Sequence, residues 1–204
     1  MAGEQPISFI YPRFSLSFAV MRKLTHAEIA QKRIKPDEIS HAQRIPVSVI
    51  VDNVRSLYNV GSIFRTSEGA MVAKLILTGF TPYPPRKEIE KTALGSTNSV
   101  PWQYIENPGD AVALMKAQGY KICCLELTDS GTSYDQIQPT DFPLCVVVGN
   151  EVTGISRGIV GESDIAIEIP MFGTKQSLNV AVAYGIAVFE LARIWRNNHL
   201  PVRT

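Results

Sequence analysis

Five short, nearly continuous apolar runs limit what this chain can fold into more than any other feature. They are VSVIVD (47–52), KLILTG (74–79), KICCLEL (121–127), LCVVVG (144–149) and DIAIEI (164–169), and a further strand is expected at 100–105. Runs this short, rich in Val, Ile and Cys and lacking strict polar alternation, belong to strands buried on both faces. Helical patterns stand between them at about 59–71, 86–94 and 109–118, and a long one closes the chain at 178–198, with Pro82, Pro84 and Pro85 breaking the chain after the second run. Strands alternating with helices predict an α/β fold whose mainly parallel sheet carries helices on both faces. No internal repeat is visible.

This domain is expected over 45–204, preceded by an extension, 1–44, that is partly helical and basic. Arg22, Lys23, Lys32, Arg33 and Lys35 mark the extension, which reads either as a solvated amphipathic helix or as an RNA contact. The apolar residues 7–21 are interrupted by Pro12 and Arg13 and follow no basic segment, so they do not read as a signal peptide, although Met21 is placed to serve as a second start. No stretch reaches the roughly 18–20 apolar residues of a membrane span, and a cytoplasmic protein is expected. The net charge is +1, so affinity for a polyanion has to come from local patches. Cys123, Cys124 and Cys145 lie within the apolar runs and read as packed thiols, while His26, His41 and His199 have no ligand spacing, so no metal is expected.

The last helix carries Val180, Tyr184, Val188, Leu191 and Trp195 at steps of three and four, an ordinary core stripe. Val182, Ile186 and Phe189 form a second apolar edge. A helix apolar around so much of its girth is either central or shared with another subunit, and a homodimer is the expectation.

Ligands of open α/β sheets bind beyond the carboxyl ends of the strands. Three loops there are rich in polar groups: NVRSLYNVGSIFR after the first run, NEVTGIS after LCVVVG, and MFGTKQSLN after DIAIEIP. Neither a Gly-x-Gly-x-x-Gly fingerprint nor a P-loop is present. In the first loop Gly61 permits close backbone approach and shares a helix face with Arg65. Arg65 is open to a plain ion pair with Glu68, and Asn59 to a plain N-cap. Glu151 has the alternative of capping the next helix, and Ser177 that of capping the last.

Taken together, NVGSIFRT (59–66), VVVGNEVTGIS (146–156) and IPMFGTKQSLNVAVAYGIA (169–187), with KTALGSTNSVPW (91–102), resemble the signature motifs of the SpoU (TrmH) RNA 2′-O-ribose methyltransferases of the SPOUT class. The resemblance spans about 46–192. It implies a C-terminal trefoil knot, an obligate dimer with its active site at the subunit interface, and S-adenosylmethionine as cofactor. It also implies a cofactor pocket around Gly149, Ile169, Met171 and Leu178, with Leu125 contributing, and catalytic candidates Arg65, Asn59, Glu151, Ser177 and Asn179. The chain departs from the pattern at Ala181, where a serine is common, and shows no separate N-terminal RNA-binding domain of the kind some relatives carry. Families of this type are described with the arginine as a general base. Because a guanidinium stays protonated in proteins, an orienting, electrostatic role for Arg65 is expected instead. RNA, transfer or ribosomal, is the expected partner, met by Lys23, Lys32, Arg33 and Lys35 and by Arg55, Arg86, Lys87, Arg193 and Arg196. The competing readings are a catalytically silent SPOUT-fold RNA-binding protein and an ordinary α/β small-molecule enzyme. The latter is disfavoured because no nucleophile with a paired base appears.

Overall fold

The computed structural model describes residues 21–31, 33–35, 38–39 and 41–199. The apolar segment before Met21, and Lys32 of the basic extension, lie outside these residues. The chain divides into two units, 1–35 and 36–204. In the first, α1 (His26–Gln31) is started by a reciprocal cap: the Glu28 amide donates to Thr25 Oγ1 at 3.3 Å and the Glu28 carboxylate accepts from the Thr25 amide at 2.8 Å. The neighbouring Arg22 guanidinium, then the Thr25 amide and hydroxyl, bring the Glu28 carboxyl down to about 2.

The second unit runs β1 (Ile45–Asp52), α2 (Leu57–Ala70), β2 (Val72–Thr78), α3 (Lys87–Ala93), β3 (Trp102–Ile105), α4 (Pro108–Ala117), β4 (Lys121–Leu125), β5 (Thr132–Ser133), β6 (Leu144–Val148), α5 (Arg157–Gly161), β7 (Ile165–Glu168) and α6 (Val180–His199). The strands make one seven-stranded sheet in the order β3-β2-β1-β6-β4-β7-β5, and every pairing in it is parallel.

The apolar runs are explained by burial on both faces. Along β1, Val47, Val49 and Val51 join the core beneath α2, α3 and α6, while Ile50 points to the opposite core beneath α4 and α5. The thiols follow the same alternation, with Cys123 in the first core and Cys124 and Cys145 in the second. All three are free and buried, and desolvation raises each thiol pKa.

Helix α2 is pressed against α3 at Gly61, where a Cβ would run into the Ile89 carbonyl and the Thr92 hydroxyl. The close approach expected of Gly61 is therefore made to a neighbouring helix. Helices α2 and α6 are joined by a buried polar link: Tyr184 and Ser67 are both fully buried, their hydroxyls 2.6 Å apart. Ser67 Oγ donates to the Ile63 carbonyl at 2.7 Å, which makes Tyr184 the donor to Ser67. Losing one partner strands the other, so the two halves of this link differ in cost. Ser67→Ala leaves the phenol buried without an acceptor and is expected to cost about 1–3 kcal/mol, whereas Tyr184→Phe leaves the serine bonded to Ile63 and costs about 0.5–1.5 kcal/mol. Urea unfolding of the two variants checks the order.

Candidate active site

Because the strands are parallel, the loops that follow them gather at one edge of the sheet. The loop after β1 leads into α2, whose N-cap is Ser56: its hydroxyl accepts from the Asn59 amide at 3.3 Å. Asn59 is thus not the cap, and its carboxamide is left for other partners. Glu151, in the loop after β6, accepts from the Arg55 amide (3.0 Å), the Ser56 amide (3.0 Å) and Asn59 Nδ2 (2.9 Å). It closes the entrance of α2 and does not cap α5, which starts at Ser156. Partial burial works to raise its carboxyl pKa, but the amides of Arg55, of Glu151 itself and of Ser56, together with the Asn59 carboxamide, outweigh it and hold the group below the ordinary glutamate range.

The other end of the Asn59 carboxamide accepts from Asn179 Nδ2 at 3.1 Å. Asn179 Oδ1 in turn accepts from the amides of Ala181 (2.9 Å) and Val182 (3.3 Å), which makes Asn179 the N-cap of α6. The last helix therefore begins at Val180, two residues later than its apolar pattern indicated, and Ser177 stands exposed before it. The fold thus joins the three polar loops in one chain of contacts, Glu151–Asn59–Asn179.

Beside this chain lies a cleft of about 270 Å³, just below the roughly 300–1,000 Å³ usual for ligand pockets. Gly149, Ile169, Met171, Leu178 and Leu125 all line it, and so do Glu151, Ser177 and Asn179. Gly149 is required by space: a Cβ there would strike the backbone of Gly154 and Ile155, where the loop folds back through an Asn150–Gly154 bridge. The lining fits S-adenosylmethionine, with apolar residues suited to the adenine and three acidic residues, Glu126, Glu151 and Glu168, lending negative charge around a cationic ligand.

The structure does not bring Arg65 into this cleft. It lies exposed on α2, and the ion pair with Glu68 is not formed. Arg65 has no side-chain partner among the described residues. Of the cations expected on an RNA-facing surface, Arg193 is engaged by Glu190, at 2.8 and 2.6 Å.

A family model described as the SpoU rRNA Methylase family matches residues 46–189. The chain belongs to the SpoU family. It is 32% identical to the tRNA (guanosine(18)-2′-O)-methyltransferase of Escherichia coli strain K12, over 79% of this chain and 70% of that protein. It is likewise 32% identical to the Aquifex aeolicus protein of the same name, over 81% and 78% of the two chains. Among solved structures, the A. aeolicus TrmH/SpoU tRNA modifying enzyme superposes with a TM-score of 0.70 at 32% identity, covering 79% of this chain and 80% of that one. An AdoMet-bound rRNA methyltransferase from Sinorhizobium meliloti superposes with a TM-score of 0.69 at 29% identity, over 83% and 62%.

Two acidic residues of this SpoU-family site escaped the sequence reading. Asp52, fully buried at the end of β1, accepts from the Ser156 amide (2.9 Å) and hydroxyl (2.7 Å) and so binds the start of α5 to the sheet. Glu126, just past β4, accepts from the amides of Ile155 (3.0 Å) and Leu127 (3.0 Å) at the wall of the cleft. The signal for both was a carboxylate closing an otherwise apolar run, in VSVIVD and KICCLEL.

Proposed function

We propose that this chain transfers a methyl group from S-adenosylmethionine to a ribose 2′-hydroxyl of structured RNA, transfer or ribosomal, as a homodimer in the cytoplasm with the knotted C-terminal region its family implies. The observation that carries the reading is the coincidence of the cleft with all five expected cofactor residues, beside the Glu151–Asn59–Asn179 chain. The 32% identity to named tRNA (guanosine(18)-2′-O)-methyltransferases supports the reaction class. Among the described residues no helix is long and apolar enough to cross a membrane.

When bound, S-adenosylmethionine supplies an electrophilic methyl on a sulfonium. The residues of this chain hold and orient. Gly149, Ile169 and Leu178 hold the cofactor, and Glu151, Asn59 and Asn179 fix the loops at its rim. Ser177 presents its hydroxyl toward the ribose. Arg65 grips the neighbouring phosphate and orients the 2′-hydroxyl, its charge easing departure of the proton to solvent water. Alignment of this kind contributes up to roughly 7–11 kcal/mol for well-placed reactants.

The position of Arg65 outside its own cleft has an account in the dimer. Val182, Ile186 and Phe189 of α6 are 51%, 36% and 53% exposed, an apolar ridge on an otherwise well-packed helix. Phe189 lies against Gly69 and Gly185 faces Thr66, so the ridge runs beside the helical face that carries Arg65. Pairing of two ridges places Arg65 at the subunit boundary, where it serves the cleft of a second copy. Ile186→Glu combined with Phe189→Glu is expected to give monomers by light scattering and to abolish methyl transfer with Arg65 intact. A dimer persisting in the double variant counts against the ridge.

Isothermal titration with S-adenosylmethionine, followed by mapping of 2′-O-methylation in total RNA with and without the protein, tests the reading. Binding with new methylated sites supports it. Binding without them leaves the silent RNA-binding relative, and no binding removes the methyltransferase.

A further inference from the structure

The cleft is lined by the loops after β4, β6 and β7 and by the start of α6. The outer side of the same sheet edge, at β2 and β3, carries a group of aromatic rings that this site does not use. Tyr83, in the loop after β2, lies with its ring centroid 4.7 Å from that of Tyr104 at an interplanar angle of 40°, and 6.4 Å from Trp102 at 31°. Trp102 meets Phe64 of α2 edge-on at 6.1 Å, which anchors the inner end of the row in the core. The outer end is in water, with Tyr83 46% and Tyr104 37% exposed, and Phe80, at the start of the same loop, is 61% exposed.

The shelf is pre-set. The Tyr104 hydroxyl donates to the Gly79 carbonyl at 2.6 Å, and the Phe80 amide donates to Asn53 Oδ1 at 3.1 Å. Asn53 belongs to the loop that reaches Glu151 through the Arg55 amide, so the shelf is hydrogen-bonded to the rim of the cleft. Exposed cations lie close by along the chain: Arg55 follows Asn53 in the loop that joins the shelf to the rim, and Arg86 and Lys87 follow the aromatic loop, none with an acidic partner among the described residues.

Exposed aromatic residues in a segment that also carries unengaged cations suit one kind of partner, an unpaired nucleic-acid strand, whose bases stack on rings while its phosphates meet the charges. We propose that Phe80, Tyr83 and Tyr104 form a stacking shelf for unpaired bases of the substrate RNA beside the methylated nucleotide, with Arg55, Arg86 and Lys87 on the adjoining phosphates. This rests on the RNA reading of the site given above. It gives the enzyme a means of selecting an unpaired segment, in which a ribose is free to enter the cleft.

The test uses the full chain and a fluorescein-labelled heptauridylate and heptaadenylate, with binding read by anisotropy in parallel with S-adenosylmethionine titration. Phe80→Ala combined with Tyr83→Ala is expected to weaken oligonucleotide binding about fivefold to a hundredfold. Tyr83→Phe, which keeps the ring, should retain wild-type affinity, and all variants should bind S-adenosylmethionine as the wild type does. Arg55→Gln with Arg86→Gln should flatten the salt dependence. Equal oligonucleotide affinity in wild type and double-alanine variant overturns the shelf and leaves the exposed rings to a protein partner. Wild-type protein that binds S-adenosylmethionine but neither oligonucleotide overturns it too, while the methyltransferase reading stands. Failure to bind S-adenosylmethionine strikes that reading instead.

Discussion

Replacing Arg65 with alanine is expected to lower methyl transfer by about 10²–10³-fold while S-adenosylmethionine binds with unchanged affinity. The separation follows from geometry. Arg65 is exposed on α2 and lines no part of the cleft of its own chain, so its loss leaves the cofactor-holding residues as they were. Arg65→Lys keeps the charge but loses the planar fork to which the proposed orienting of phosphate and hydroxyl is assigned, and is expected to recover only a small part of the rate. Single-turnover rates at saturating cofactor, beside calorimetric affinities, are the measurement. Near-normal turnover in Arg65→Lys would remove the bidentate orienting role and leave only a point charge.

The second large effect belongs to Glu151. Its carboxylate receives the Arg55 and Ser56 amides and the Asn59 carboxamide, tying the entrance of α2 to the wall of the cleft. Glu151→Gln preserves the shape but replaces one acceptor oxygen with an NH₂ group that faces other donors. It is therefore expected to weaken cofactor binding and, by loosening loop positions, to lower turnover on the order of a hundredfold. A substitution that spares cofactor affinity contradicts this tie. The same carboxylate carries a pH dependence. Its pKa is depressed in the folded chain, so its contribution to stability is present above the ordinary glutamate range and is lost as pH falls through the depressed value. Acid unfolding of wild type and Glu151→Gln should therefore converge at low pH.

Much of the fold was legible because it rests on burial. Strands covered on both faces have to be apolar throughout, and the five apolar runs announced themselves for that reason. Strand β5, two polar residues against β7, has no such requirement and left no pattern. The start of α6 shows a different limit. Ser177 and Asn179 are both suitable N-caps by local chemistry, and the choice fell to Asn179, whose carboxamide is also held by Asn59, 120 residues away in sequence. Glu151 repeats the lesson: a role in the next helix was locally reasonable, but its partners lie 95 and 96 positions earlier. Arg65 and Glu68 satisfied the spacing of a helical ion pair and do not form one. Membership of the cleft was the most readable part of the site: its lining falls largely in the motifs at 146–156 and 169–187 and at the end of KICCLEL, while no residue of the motif at 59–66 lines it. The partners of each polar side chain were not readable, because they are set by the crossing of loops distant in sequence.

The distribution of the three thiols across the sheet has a practical consequence. Cys123 lies under α2 and α6, Cys124 and Cys145 under α4 and α5, and desolvation keeps all three protonated and sealed. A maleimide reagent reaches such a sulfur only after the layer above it lifts away. The rate at which each cysteine takes the label is thus a clock for one side of the molecule, so wild-type protein reports without engineering which helical layer opens first.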